Sequence, residues 1–315
     1  MNAIIEAGFI LAGLSALCWS SVDIARKQLV RKMRATTALV GLMLGQVVFL
    51  LPLLLMTELG AKPEVDHPAV DLFFFSIPEF TTTYFLYACS TITLNLAANL
   101  LFLHAVSISP LSLTTPYLAL TPVFSAILAY LVLGQVVAGW GIVGILVVCL
   151  GAFFLNPGSK DDGPLAPLKA LWSERGSLYM VLVALVWSIT PILDREASMR
   201  TGAVWHTGFL AFGIGMALTI ILCVRGKGRE TLEDFKNAPV FLMLCAFLLL
   251  AAMALQLASY DYVAIAYVET FKRALGVIGA MAAGMIFFGE KDIGRRFIGA
   301  AVMVVGVAMV LFSGN

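Results

Sequence analysis

Ten apolar runs, each close to the length of a membrane crossing, divide this chain and constrain its fold more than any other feature. They cover residues 8–30, 36–57, 80–104, 107–133, 139–155, 176–194, 203–224, 239–259, 263–288 and 296–313. A hydrocarbon layer about 30 Å thick takes roughly 20 residues of helix, and inside it only helices or closed barrels satisfy the backbone. Runs of this length predict an all-α integral membrane protein with ten transmembrane helices. Charged residues are 12% of the 315, about half the share of a soluble domain, and they gather between the runs. The net charge of +1 gives no basic face for nucleic acid, so no such partner is expected. Met1 to Gly8 lacks a basic leader and a small-residue cleavage site, so the first run is expected to stay in the mature chain. Cys18, Cys89, Cys149, Cys223 and Cys245 all lie in apolar runs without a Cys-x-x-Cys or a nearby His. They read as small packing residues, with no metal site and no cofactor expected.

The two halves repeat. An offset of 155 superimposes Gly134, Gly139, Gly144 and Gly151 on Gly289, Gly294, Gly299 and Gly306. An offset of 168 superimposes Gly8, Ala16, Leu17, Trp19 and Ser20 on Gly176, Ala184, Leu185, Trp187 and Ser188. Residues 1–157 and 176–315 then form two five-helix repeats joined by a linker at 158–175. An odd number of crossings per half inverts the second relative to the first, the plan of many secondary transporters. Gly41 and Gly45 form a G-x-x-x-G that permits close helix pairing, within one chain or between two, so monomer and homodimer both stand.

The pattern resembles the EamA branch of the drug/metabolite transporter superfamily. There each half closes on a Gly-Glu turn before a glycine-bearing last helix, matched here by Phe288-Gly289-Glu290 followed by Gly294, Gly299 and Gly306. The first half has Gly134-Gln135, an amide in place of the acid, and each half opens on a Trp-Ser helix at Trp19 and Trp187. The resemblance implies a transporter of ten helices in a cell membrane, with the bacterial inner membrane as the expected location. It also implies cytoplasmic termini. The Lys and Arg count points the other way. Loops after helices 1, 3, 5, 7 and 9 carry 15 and the opposite face 3, which places both termini outside.

Charge inside a span costs roughly 2.5 kcal/mol or more and needs a reason. The ninth run holds Glu269, Lys272 and Arg273, spaced three and four apart so that they can meet on one face. One carboxylate cannot neutralise two cations, and the surplus is expected to bind an anionic substrate group; the plainer reading is an internal ion pair. The same segment resembles sugar-phosphate translocators, in which a Lys-Arg pair early in the ninth helix grips phosphate. Their fourth-helix lysine has no counterpart here, where Tyr117 stands near that level. Trp19, Trp187, Tyr117, Tyr260 and Tyr267 are candidates for an aromatic wall, or for packing. His104 and Asn99, the latter four residues from Asn95, are candidate polar liners, or helix bridges. Asp23 and Asp194 are candidates for ion coupling or gating, while Arg26, Lys27 and Glu196 read as solvated helix ends. Pro110, Pro116, Pro122 and Pro191 are expected to break helices where they face protein or a cavity.

These features predict a secondary transporter of a small phosphate- or carboxylate-bearing metabolite working by alternating access. A flippase for a phosphorylated lipid and a membrane-embedded lipid-modifying transferase are the alternatives. No catalytic motif and no nucleotide loop occurs in the sequence, so a non-enzyme driven by a gradient or by exchange is expected, with substrate and membrane lipids as partners.

Overall fold

The computed structural model describes residues 3–29, 31–60, 69–72, 75–108, 115–155, 175–288 and 294–313. Within them the apolar runs become ten long helices. These are α1 (Ala3–Leu29), α2 (Ala35–Gly60), α3 (Thr82–Ile108), α4 (Thr121–Leu133), α5 (Gly139–Leu155), α6 (Arg175–Thr201), α7 (Ala203–Val224), α8 (Pro239–Ser259), α9 (Ile265–Phe288) and α10 (Gly294–Ser313). Five of them, α1, α3, α6, α7 and α8, contain stretches long and apolar enough by themselves to cross a membrane. Shorter apolar stretches lie in α2, α4, α5 and α10. The remaining helix, α9, carries Glu269, Lys272 and Arg273 within 24 residues, or about 36 Å of rise.

Two local features interrupt the run of long helices. The segment after α2 holds a small antiparallel hairpin, β1 (Ala69–Leu72) with β2 (Phe75–Pro78), so the chain is helical but not wholly so. The fourth run is not one helix. A 3-10 turn, Thr115–Leu120, leads into α4, with Pro122 in its first turn. Proline costs little there, because that N–H has no helical partner. Pro191, by contrast, sits inside a continuous α6 and leaves the Trp187 carbonyl four residues back without its helical donor. Pro110 and the Gly289-Glu290 turn lie outside the described residues.

Packing follows a pseudo-two-fold. Helix α1 packs on α8 and α9, and its counterpart α6 packs on α3 and α4, while α2 meets α7 and α5 meets α10. Each pair is the image of another, or of itself, when the halves exchange. The seam between α5 and α10 shows this in atomic detail. A Cβ on Gly144 would stand 2.6 Å from the Gly306 carbonyl oxygen, and one on Gly151 would stand 2.8 Å from that of Gly299. Since 144 + 155 = 299 and 151 + 155 = 306, the two contacts are images of one another. The repeat spacing therefore has a physical cause: backbones touch at both places, and only glycine permits it. Adding a side chain at Gly306 is expected to cost about 1–3 kcal/mol or more by overpacking. A Gly306→Leu variant should lower the thermal midpoint in detergent, whereas Gly13→Ala, with nothing within 4 Å of the new methyl, should not.

Gly41 and Gly45 also serve packing within the chain. A Cβ at Gly41 would strike Leu242 and Phe235, and one at Gly45 would strike Ala246. The α7–α8 loop forms a short helix, Gly228–Asp234, that returns to the start of α2. Arg34 bonds Asp234 at 2.7 Å and pairs with Glu230, and Thr37 adds a bond to Asp234 at 3.1 Å. The Arg34 guanidinium holds the Asp234 carboxyl below its ordinary range.

Candidate functional site

Helices α1, α4, α6, α8 and α9 bring their polar residues together around the start of α9. Glu269, fully buried, accepts from Lys272 Nζ at 2.9 Å and from Tyr260 Oη at 3.3 Å. Gln256 of α8 is the hub. Its Nε2 donates to Tyr260 Oη at 2.5 Å and lies 3.3 Å from the Glu269 oxygen. Its Oε1 accepts from Trp19 Nε1 at 2.7 Å and from Lys272 Nζ at 3.4 Å. Lys272 Nζ stands 5.3 Å from the centre of the Trp19 ring, within cation–π range.

Arg273 turns the other way. Its place four residues on would allow it to share the Glu269 face, but its partners on α4 and α6 draw it away. The sequence reading placed all three together; only Lys272 pairs with Glu269. Arg273 Nη2 instead donates to Thr121 Oγ1 at 3.1 Å, and its Cζ lies 6.0 Å from the centre of the Trp187 ring. Its Nε is buried without a hydrogen-bond partner. Trp19 and Trp187, equivalent in the repeat, thus each stand against one of two adjacent cations. Ser188 Oγ, beside Trp187, lies 2.6 Å from the Ala184 carbonyl of its own helix and 3.1 Å from the Thr121 carbonyl of α4. Ser20, its counterpart, lies where a Cβ on Gly279 would be, so at that point α1 comes this close to α9 only because residue 279 is glycine.

The charges around this cluster do not cancel. Asp23 pairs with Arg26 at 3.5 Å, and Arg26 Cζ lies 5.8 Å from the centre of the Trp19 ring. Among the described side chains, three cations (Arg26, Lys272, Arg273) against two carboxylates (Asp23, Glu269) leave one positive charge. Asp23 itself is more open than its place in the run implied, with 54% of its side chain exposed.

Other sequence candidates lie apart from this cluster. Tyr267 is buried, but its hydroxyl accepts from the Ala138 amide at 3.2 Å and from Ser313 at 3.1 Å, which pins the α4–α5 loop and the end of α10. That loop is further held by Gln135, whose Oε1 accepts from Ile265 N at 3.3 Å and caps α9. Tyr117 packs in the α3–α6 core. Asn99 donates to the Asn95 carbonyl of its own helix at 2.7 Å. His104 is exposed and stacks near Tyr179, with ring centres 5.3 Å apart.

Asp194 enters a second buried cluster. His206 Nε2 lies 3.1 Å from Asp194 Oδ1, and His206 Nδ1 lies 3.3 Å from Tyr84 Oη. Neither His206 nor Tyr84, nor Gln256 or Thr121 in the first cluster, was singled out by the sequence. A lone polar residue within an apolar run was the available signal. Among the described residues no group of acids, His and Cys has the arrangement of a metal site.

The sequence model of the EamA-like transporter family matches twice, over residues 6–156 and 174–312. No curated protein matches the chain. One solved structure, described as "Crystal structure of protein", superimposes with a TM-score of 0.67 at 12% identity, covering 98% of this chain and 97% of its own. At that identity the likeness concerns the fold alone.

Proposed function

Because the chain belongs to the EamA-like transporter family, and is thus a multi-pass membrane transporter of the drug/metabolite type, we propose that it carries a small organic anion by alternating access. The observation behind this reading is Arg273. Its guanidinium contacts a neutral hydroxyl and an aromatic face, and its Nε is buried with no acceptor. A planar fork with a free N–H is suited to two oxygens of a carboxylate or phosphate. Lys272, neutralised by Glu269, contributes hydrogen bonds more than net charge. The single surplus cation favours a ligand group of one negative charge, such as a carboxylate or phosphodiester. The burial of Glu269 beside these cations supports a loading step in which the halves move apart. We place the protein in a bacterial inner membrane.

A thermal-shift screen of purified protein tests this directly. Carboxylates and phosphate esters are expected to raise the midpoint, since a ligand at 100 times its Kd stabilises by about 2.7 kcal/mol. Amines and neutral sugars are expected to do nothing. Stabilisation by cations alone would remove the anion reading. A response only to phospholipid headgroups presented in micelles would favour a flippase over a metabolite carrier.

A further inference from the structure

The anion site leaves the second buried cluster unused. Asp194 lies about two turns inside the end of α6, His206 one turn into α7 and Tyr84 in the first turn of α3. The Asp194 side chain is 9% exposed and that of His206 0%. Both imidazole nitrogens are engaged, Nε2 by Asp194 Oδ1 and Nδ1 by Tyr84 Oη, and the Thr201 side chain lies beside Tyr84. A carboxylate and an imidazole are costly to place in a membrane span, and packing alone would be served by apolar residues.

This chain of bonds holds one proton more or less without losing a contact. With neutral His206, Nε2–H donates to Asp194 and Nδ1 accepts from the Tyr84 hydroxyl. With an added proton, Nδ1–H donates to Tyr84 Oη, whose own hydrogen turns toward Thr201. The cluster then changes from one negative charge to none. Among the described residues the titratable neighbours are few. From α3 they are Tyr84 and Cys89, and from α8 the terminal Tyr260, which the Asp194 charge reaches. From α6 they include Arg195, which donates to the Tyr260 carbonyl at 3.1 Å and pairs with Glu196 at 3.5 Å. Arg200 pairs with Glu196 at 3.3 Å and covers the Tyr87 ring. Helix α2 meets α7 through Leu50 at Gly208 and Leu44 at Gly215, both apolar. Tyr260 is the link between the clusters, because its hydroxyl also bonds Glu269.

We propose that Asp194, His206 and Tyr84 form a proton-binding site that couples proton movement to the cargo, with proton and anion travelling in the same direction. This rests on the anion reading above for its cargo, but not for its proton. Losing a negative charge near Tyr260 and Glu269 favours a second anion nearby, and by linkage the anion favours the proton equally.

The test uses full-length protein with 15N-labelled histidine in detergent. NMR follows the imidazole of His206, assigned by its absence in His206→Gln, from about pH 8 to about pH 5, where histidines exchange protons. Wild type is expected to take up a proton at Nδ1 over this range, and Asp194→Asn is expected to shift that midpoint to lower pH. Tyr84→Phe, which keeps the ring, is expected to alter it less and stands in if Asp194→Asn does not fold. A His206 signal that stays constant across the range overturns the proposal whatever happens to anions. Lactate and dimethyl phosphate, each of one negative charge throughout this range, then serve as probes in the thermal-shift assay at both of its ends. Tighter binding at low pH by about tenfold, lost in Asp194→Asn while binding itself persists, supports coupling. A titrating His206 with pH-independent anion binding overturns it. Should no anion bind even wild type, the anion reading fails alone, and the NMR arm still decides the proton site.

Discussion

Arg273→Gln is expected to reduce transport by about 30-fold to a few thousandfold while the protein still folds. Removing one member of a buried charged contact costs about 2–5 kcal/mol, each 1.4 kcal/mol being a factor of ten. Glutamine keeps a donor toward Thr121 Oγ1, so the α4–α9 contact survives in part, but it removes the surplus charge. Transport by wild type and variant in proteoliposomes, normalised to folded protein by size-exclusion profile, measures the effect. Undiminished uptake of an anion by the variant would show that the guanidinium does not meet the cargo.

A second large effect is expected at Glu269, this time on stability. Its carboxylate holds Lys272, Tyr260 and Gln256 in one knot, with no exposure to solvent. Breaking a buried pair by deleting one partner costs about 3–5 kcal/mol, because the other charge stays behind uncompensated. Glu269→Ala should therefore show a large fall in thermal midpoint. Replacing both partners, Glu269→Leu with Lys272→Met, should recover much of that loss, since an apolar pair of similar size is often no worse. A double variant no more stable than Glu269→Ala would mean that the ion pair is not what the knot depends on.

Much of this fold was legible in the chain, because membrane helices announce themselves by run length and the repeat by its glycines and Trp-Ser pairs. The interruption before α4 was legible too, in Pro116 and Pro122, but the 3-10 form it takes was not, since that depends on backbone geometry rather than on apolarity. Within the site, helical spacing found the Glu269–Lys272 pair, which is local to α9. It misjudged Arg273, whose direction is set by α4 and α6 rather than by its own helix. Gln256 and His206 act between helices, and no periodicity within one segment reports such partners. Tyr267 shows the converse: near Glu269 in sequence, it faces α5 and α10 and works as a brace.

The glycine crossings of α5 and α10 carry one more consequence. Gly144 meets not its own counterpart, Gly299, but the counterpart of Gly151. A lone five-helix half would therefore present bare main chain along one flank, a strip that only an upside-down copy of itself can cover. The fused chain supplies that copy covalently, so the two flanks are free to diverge in their side chains, as long as both pairs of crossing points stay without them.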